Sequence, residues 1–169
     1  LGEISFLVSR VPFGQHKIVD PYNRSYVFPL YLYERGHVHH ELGLGLIDPS
    51  KWPSSRHGRV PNVSADFVAE LERRVKMGFT AEGGGELTDT LGPEDIFHYG
   101  YAIFHCPTYR KRYAEFLKMD FPRLPLTSNG ELFKALVRKG EELVALHLME
   151  STKLNARTTK FPVADSNEI

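Results

Sequence analysis

The side chains best suited to chemistry in this sequence are three consecutive basic residues, Arg110, Lys111 and Arg112. Tyr109 and Tyr113 flank them, and we expect the run to lie near the start of a helix. Because successive helical residues point about 100° apart, the three cations fan around more than half of the helix. Together with the free N–H groups of a first helical turn, they would suit a phosphate group. A solvated helix face that pairs with acids such as Glu115 is an equally good interpretation.

A second basic group lies in an acid-free segment, residues 51–62, and consists of Lys51, Arg56 and Arg59. Trp52 belongs to the same Gly-, Pro-, His- and Ser-rich stretch, for which the sequence predicts a long loop over residues 34–62. Such a loop can enter a DNA groove, where the commonest specific contact is an Arg that binds guanine through two hydrogen bonds. A mobile surface loop without this role is the alternative that the sequence alone favours.

One cluster has metal-ligand chemistry, and its members are His37, His39, His40 and Glu41. On a strand, His37 and His39 would share one face, but a catalytic zinc would need a third protein ligand and residues that orient the ligands. We therefore favour a solvated loop with freely titrating histidines, and we expect no metal site.

Two further motifs resemble parts of active sites. The triplet Gly83, Gly84 and Gly85 lacks the Gly-Lys-Ser/Thr of a P-loop, and no apolar strand precedes it, so we expect a flexible turn. Cys106 directly follows His105, but adjacent helical residues do not face each other. We expect Cys106 to be a small residue at a helix junction. No catalytic or cofactor-binding residue is expected in this chain.

Prolines punctuate a C-terminal half that is predicted to be helical. Pro93 suits the first position of a helix, and Pro107 is predicted to end that helix and to begin another. Residues 121–126 must be extended, because a residue before proline avoids the helical region. Ser128 and Glu131 form a predicted capping box for the last helix. The predicted core stripe of that helix comprises Leu132, Leu136, Leu143, Leu146 and Leu148.

The other helices also have predicted inward faces. For the helix that begins at Pro93 they are Ile96, Phe97, Gly100, Ile103 and Phe104. For the helix that begins at Pro107 they are Tyr109, Tyr113, Phe116 and Leu117. An earlier helix is predicted to be capped by Asn62 or Ser64. Its predicted inward face comprises Phe67, Val68, Leu71 and Val75.

The N-terminal half is predicted to be irregular and β-rich. Residues 4–8 alternate in the manner of a strand, and residues 26–33 form a second predicted strand, at an edge because of Pro29. Residues 80–91 suit a loop or hairpin. The predicted fold class is α+β, with a small irregular β-rich N-terminal half packed on a helical C-terminal half. Residues 1–150 would form one domain and residues 151–169 a polar tail.

The chain of 169 residues carries 21 basic and 21 acidic residues, and its net charge is zero. Because a self-sufficient DNA-binding domain usually has a basic excess, this balance argues against tight, independent DNA binding. The charge is nevertheless segregated: residues 109–118 hold four bases against one acid. The single cysteine excludes an internal disulfide. Without a long apolar run or a signal-peptide pattern, we expect a cytoplasmic protein that does not contact a membrane.

Five motifs carry a family resemblance: FPLYLY at residues 28–33, PNVSADFV at 61–68, LTDTLGPEDIFHY at 87–99, YRKRYAEFLKMDFPRLPLTS at 109–128 and ELVALHLMES at 142–151. In this order they closely resemble the C-terminal specificity region of type ISP restriction-modification enzymes. The block over residues 93–151 is the most specific part of the resemblance.

The resemblance implies a large bacterial polypeptide in which a nuclease, a helicase-like motor, an adenine methyltransferase and a target-recognition domain follow one another. S-adenosylmethionine, ATP and Mg²⁺ would serve the parent polypeptide, with none of them in this chain. The implied partners are double-stranded DNA and the methyltransferase domain of the same polypeptide. The sequence contains no Asn-Pro-Pro-Tyr methylation motif and no Walker A motif, so none of the family's catalytic residues can be transferred to it.

We therefore expect a non-catalytic segment that recognises a DNA target. Its expected phosphate contacts are Arg110, Lys111 and Arg112, and its weaker groove or backbone contacts are Lys51, Arg56 and Arg59. A second hypothesis makes residues 93–150 a scaffold that docks the methyltransferase domain, with DNA recognised elsewhere in the polypeptide. Zero net charge favours that hypothesis. An enzyme in its own right is the weakest hypothesis, because no nucleophile, base and orienting group can be assembled.

Overall fold

The computed structural model describes residue 8 and residues 28–33 and 58–156. Its elements in chain order are β1 (Tyr31–Tyr33), β2 (Arg59–Pro61), α1 (Ala65–Val75), β3 (Gly78–Phe79), β4 (Thr90–Leu91), α2 (Pro93–His105), α3 (Pro107–Arg112), α4 (Ala114–Leu117) and α5 (Gly130–His147). A 3₁₀ turn over Thr152–Asn155 follows them. The fold is α+β, as predicted, with short strands in the N-terminal half and a helical C-terminal half. Most of the predicted strand at residues 4–8 lies outside the described residues, as does the histidine cluster.

Helices α2 and α5 form the centre of the helical half, and their backbones come very close at Gly140. A Cβ atom on Gly140 would lie 1.8 Å from the carbonyl oxygen of His98, so only glycine permits this approach. The rings of Tyr99 on α2 and Phe133 on α5 meet at 4.9 Å between centroids, and both are buried. Burying a side chain such as Phe133 contributes roughly 1.5–3 kcal/mol.

The core stripe of α5 differs from the predicted leucine stripe. Its buried residues are Phe133, Val137, Gly140 and Val144, whereas Leu132 is 48% exposed. The two stripes lie side by side on the helix, and the stripe that contains Gly140 faces α2 because it alone lets the backbones meet. Of the predicted leucines, Leu136 packs against the core cluster, and Leu143, Leu146 and Leu148 are half-buried. The leucine stripe therefore flanks the core and does not form its centre.

The start of α5 is also shifted by one residue from its predicted cap. Asn129 is the N-cap, and its side-chain oxygen accepts a hydrogen bond from the N–H of Leu132 at 3.0 Å. The predicted capping box of Ser128 and Glu131 does not form, since Glu131 pairs with Lys134 at 2.8 Å. Asn and Ser are nearly equivalent N-caps, so Asn129 can take the role that was predicted for its neighbour Ser128.

Helix α2 is buried on more than the predicted face. Ile96 and Gly100 are buried as predicted, but Phe97 and Phe104 are only half-buried. Tyr99 and Tyr101 are buried in addition. Their burial is possible because both hydroxyl groups have partners: Tyr99 donates to the carbonyl oxygen of Pro125 at 2.7 Å, and Tyr101 bonds to a histidine of α5. A tyrosine can occupy a core position when its hydroxyl is satisfied.

Helix α1 forms as the sequence predicts. Ser64 is its N-cap and accepts a hydrogen bond from the N–H of Phe67 at 3.1 Å. Lys76 ends the helix in a left-handed conformation with φ 58°. Its buried residues are Val68, Leu71 and Val75, and they belong to the same core cluster as the α2 and α5 residues.

The strands are short, and in the described part of the predicted strand over residues 26–33 only Tyr31–Tyr33 is a strand. Strand β1 pairs with β2 in antiparallel fashion, Leu32 opposite Val60, although β2 lies in the segment predicted to be a loop. A three-residue strand is too short to show the alternation by which a strand is predicted. In the structure, β2 is held by its pairing with β1 and by the burial of Val60. Strands β3 and β4 pair in parallel, so the residues between them form a loop, which is one of the two alternatives predicted for residues 80–91, and not a hairpin.

Two buried helical glycines provide a matched test of the α2–α5 approach. Gly140→Ala places a methyl group against the His98 carbonyl and is expected to lower the free energy of unfolding by about 3 kcal/mol. Gly100→Ala meets only side-chain atoms of Leu124 and Phe104, at 3.7–3.9 Å, and is expected to raise the free energy of unfolding by up to about 1 kcal/mol through helix propensity. Urea unfolding of both variants measures the difference, and equal stability of the two would contradict the close approach.

Candidate nucleic-acid interface

The predicted junction at Pro107 sets the direction of α3. Cys106 ends α2 and precedes α3 with φ −66° and ψ 120°, the extended conformation that a residue before proline prefers. Its N–H donates to the carbonyl oxygen of Ile103 at 3.0 Å, and its own carbonyl oxygen accepts from the N–H of Arg110 at 3.0 Å. Cys106 therefore lies at a helix junction, as predicted.

The basic run occupies the last turn of α3, a helix of six residues, and not its start as the sequence suggested. The N–H of Arg110 is already bonded to Cys106, so helix-start amides do not supplement the cations. The reason is that α3 ends at once: Tyr113, with φ −108° and ψ 17°, separates it from α4. The three side chains must act through their own charges.

The three cations differ in exposure. Lys111 and Arg112 are exposed, whereas Arg110 is half-buried and makes a further contact. The guanidinium carbon of Arg112 lies 5.8 Å from the ring centroid of Tyr113, within range of a cation–π contact. Within residues 58–156, neither Lys111 nor Arg112 forms an ion pair with a carboxylate. Lys111 and Arg112 thus do not pair with Glu115, which pairs with Lys118 at 2.7 Å.

The tyrosines beside the run have different roles. The Tyr109 hydroxyl donates to the carbonyl oxygen of Arg123 at 2.8 Å, and the rings of Tyr109 and Tyr113 lie 4.9 Å apart. Burial raises the pKa of Tyr109. Tyr113 is 40% exposed, so the prediction that it points inward was wrong. Of the four residues predicted to face inward here, only Leu117 is fully buried.

The connector between α4 and α5 is extended, as the prolines predict, and is fastened to three helices. The guanidinium carbon of Arg123 lies 5.4 Å from the ring centroid of Phe116 on α4. The carbonyl oxygen of Pro125 accepts from Tyr99 of α2, and that of Leu126 accepts from Arg74 of α1 at 3.2 Å. These contacts hold α3 and α4 in place, although α3 buries none of its own residues.

Residues 109–123 thereby form a supported surface with a positive charge. Its basic residues are Arg110, Lys111, Arg112, Lys118 and Arg123. Against them stand Glu115 and Asp120. Asp120 accepts a hydrogen bond from the N–H of its neighbour Phe121 at 2.8 Å. We call residues 109–123 the basic surface.

The other predicted contacts lie apart from α3 in the chain. Arg59 lies on β2, where its Nε donates to Glu82 Oε1 at 2.7 Å and its guanidinium carbon lies 3.9 Å from the ring centroid of Tyr31. The hydrogen bond with Glu82 raises the pKa of Arg59. A phosphate would have to compete with Glu82 for this side chain. Lys51 and Arg56 lie outside the described residues.

The glycine triplet forms a turn that is fastened at three points. The N–H of Gly83 donates to the Tyr31 hydroxyl at 2.8 Å. The carboxylate of Asp95 accepts from the N–H of Gly85 at 2.6 Å and from that of Gly92 at 2.8 Å. Of the triplet's amides, that of Gly83 is thus occupied by a hydroxyl and that of Gly85 by a carboxylate, which leaves them unavailable to a phosphate, and the triplet lies in a turn as expected. Asp95 is this turn's organising residue, and the sequence showed it only as a first-turn acid.

A second polar cluster joins the ends of α2 and α5. The Tyr101 hydroxyl and His147 Nδ1 are 2.6 Å apart, and the rings of Tyr101 and His105 lie 4.5 Å apart. Burial raises the pKa of Tyr101 to about 12. In the described part of the chain, no group of three His, Cys, Asp or Glu side chains is placed to hold a metal ion.

The comparison with protein families finds a match over almost the whole chain. The model of the type ISP C-terminal specificity domain matches residues 2–169. The chain belongs to this family. Membership supports a target-recognition role for the chain, within restriction-modification. No curated protein and no solved structure matches it. Across the described ranges, no helix has the length and apolar character needed to cross a membrane.

The Asp95 contacts can be tested against a matched acid. Asp95→Ala leaves the amides of Gly85 and Gly92 without their acceptor and is expected to cost about 3 kcal/mol of unfolding free energy. Asp66 is an exposed acid in the first turn of α1, and Asp66→Ala is expected to cost less than about 1 kcal/mol. Urea unfolding of both variants measures this, and a cost for Asp95→Ala no larger than for Asp66→Ala would refute the role.

The raised pKa of Tyr101 predicts that the folded chain becomes less stable in alkali. This pKa is about 12 in the folded chain, against 10.0 ordinarily, so the folded state keeps a proton that the unfolded state loses in this window. Unfolding free energy should therefore fall as the pH rises from about 10 to about 12. Tyr101→Phe should flatten this decline in urea titrations at several pH values. An unchanged decline in Tyr101→Phe would contradict the assignment.

Proposed function

We propose that this chain is the DNA target-recognition segment of a restriction-modification polypeptide and contacts double-stranded DNA without catalysing a reaction. The family match over residues 2–169 is the observation that supports recognition. Arg110, Lys111 and Arg112 are proposed to contact phosphates of the duplex. Phosphate contacts fix the position of a protein on the duplex, and base contacts supply sequence specificity.

The geometry of the basic surface suits this role. Lys111 and Arg112 are exposed and lack carboxylate partners among residues 58–156, so binding a phosphate does not require an ion pair to be broken. The helix that carries them, α3, is held to the connector by the hydrogen bond from the Tyr109 hydroxyl to the carbonyl oxygen of Arg123. A fixed cation loses less conformational entropy on binding than one on a mobile loop.

The zero net charge sets the expected character of binding. With 21 basic and 21 acidic residues, the chain as a whole provides no attraction at long range, and a local cluster must supply the favourable electrostatics. Such binding is modest in affinity and weakens as salt rises, because each phosphate contact releases condensed counterions. Lys51 and Arg56 are proposed as additional groove or backbone contacts. Arg59 would contact DNA only if a phosphate replaced Glu82 as its hydrogen-bond partner.

The docking-scaffold hypothesis is weaker. The family description names specificity, and the apolar side chains exposed near α3 are interleaved with cations, an arrangement that suits a polyanion better than a neutral domain face. We place the methyltransferase domain beside this chain in the same polypeptide. S-adenosylmethionine, ATP and Mg²⁺ would then belong to the parent, in the cytoplasm, and no cofactor to this chain.

A charge-matched pair of variants tests the proposed contacts. Replacing Arg110, Lys111 and Arg112 with Gln removes three cations from the basic surface. Replacing Arg73, Arg138 and Lys139 with Gln removes three from α1 and α5 and changes the net charge equally. Fluorescence anisotropy with a random-sequence duplex, at several salt concentrations, gives the affinity and its salt dependence for each.

The first variant should lose about tenfold or more in affinity at low salt. The negative slope of log affinity against log salt should become shallower by roughly 2–3, since each lost phosphate contact removes about 0.9 from its magnitude. The second variant should bind as the unmodified chain does, apart from the small general effect of its charge. Equal losses in both variants would mean that binding senses only net charge, and would reject the basic surface as the site.

A further inference from the structure

Large apolar side chains are exposed beside the cations of the basic surface. The described part of the chain has eight exposed large apolar residues. Three of them, Tyr113, Met119 and Phe121, occur within nine residues of one another. A fourth, Phe28, contacts Phe121 edge to face at 5.9 Å. Four of the eight thus belong to residues 109–123 or contact them, and exposed apolar side chains that lie together commonly mark an interaction site.

The apolar groups and the cations alternate within this surface. Arg112 lies over the ring of Tyr113, and Arg123 lies over the ring of Phe116. Met119 is the most exposed of the eight, at 81%, and it directly follows Lys118 in the chain. A partner must therefore offer negative charge and apolar or aromatic surface at the same spacing.

An intact duplex meets only half of that requirement. Its phosphates face outward, but its bases are stacked inside, so the aromatic faces of the bases are not accessible to Tyr113 and Met119. A neutral protein face meets only the other half, because it would remove the cations from water without pairing them. DNA with an unstacked base offers both groups, since a phosphate and an exposed aromatic base lie on the same nucleotide.

We propose that the basic surface binds DNA at a position where a base is unpaired or unstacked. Tyr113 supplies a ring for the base to stack on, and Met119 fills the gap left in the base stack, a role that apolar side chains take in proteins that kink DNA. Lys111 and Arg112 hold the flanking phosphates. This inference rests on the proposed function, because it uses the same cations, and it adds the state of the DNA that the surface selects.

The test uses three fluorescent DNA probes of one sequence: an intact duplex, the same duplex with a central three-nucleotide bubble, and the single strand. Anisotropy titrations compare the full chain with the double variant Tyr113→Ala/Met119→Ala. A control variant, Leu132→Ala/Met149→Ala, removes two exposed apolar side chains at the two ends of α5. All replaced side chains are exposed, so circular dichroism should show unchanged folding.

The full chain should bind the bubble about tenfold more tightly than the duplex, which corresponds to the stacking of one base. The variant at Tyr113 and Met119 should lose this preference and keep its duplex affinity, and the control should keep both. With 2-aminopurine in the bubble, the full chain should quench its fluorescence and the variant should not.

Equal affinity of the full chain for duplex and bubble would overturn this inference, and duplex binding that depends on Arg110–Arg112 would leave the proposed function standing. Failure of the full chain to bind any probe at low salt would reject both. If the variant matches the full chain on every probe but loses binding to the methyltransferase domain, the surface docks a protein and the inference is overturned.

Discussion

The close approach of α2 and α5 at Gly140 is the constraint on which the rest of the structure depends. With the His98 carbonyl in the space a Cβ would occupy, the two helices share one core, and the rings of Tyr99 and Phe133 can meet there. Tyr99 then reaches the connector through Pro125. The connector in turn holds α3 by the bond from Tyr109 to Arg123. The basic surface buries almost nothing itself and takes its position from this chain of contacts.

This arrangement separates the residues that stabilise the fold from those proposed to contact DNA. The core residues of α1, α2 and α5 are apolar or have their polar groups satisfied, whereas α3 and α4 contribute a single fully buried side chain, Leu117. Substitutions on α3 can therefore change what is bound without a large loss of folding free energy. Recognition surfaces commonly lie on segments positioned by a rigid scaffold. The chain belongs to a family of specificity domains. The basic surface, which is proposed to contact DNA, likewise lies on a segment that the core positions.

Local signals in the sequence were sufficient for the helix starts at Ser64, Pro93 and Pro107, because capping and proline chemistry act within a few residues. They failed where distant residues decide. The burial of Phe133 rather than Leu132 depends on where α2 approaches α5, and β2 forms only because β1 is its partner. The basic run was identified from residue type alone. Its place at the end of α3 was not, since no local stop signal precedes Tyr113, and Asp95 was missed because its partners Gly85 and Gly92 are set by the turn.

The central claim is that the cations of α3 contact DNA phosphates, and lysine acetylation footprinting tests it most directly. Lys111 is exposed, and Lys139, whose side chain is 76% exposed, serves as an internal control on α5. Mass spectrometry measures the acetylation rate of each lysine with and without saturating duplex at low salt. The account predicts that DNA slows the acetylation of Lys111 severalfold and leaves Lys139 unchanged. Equal reactivity of Lys111 in the free and bound chain would contradict it.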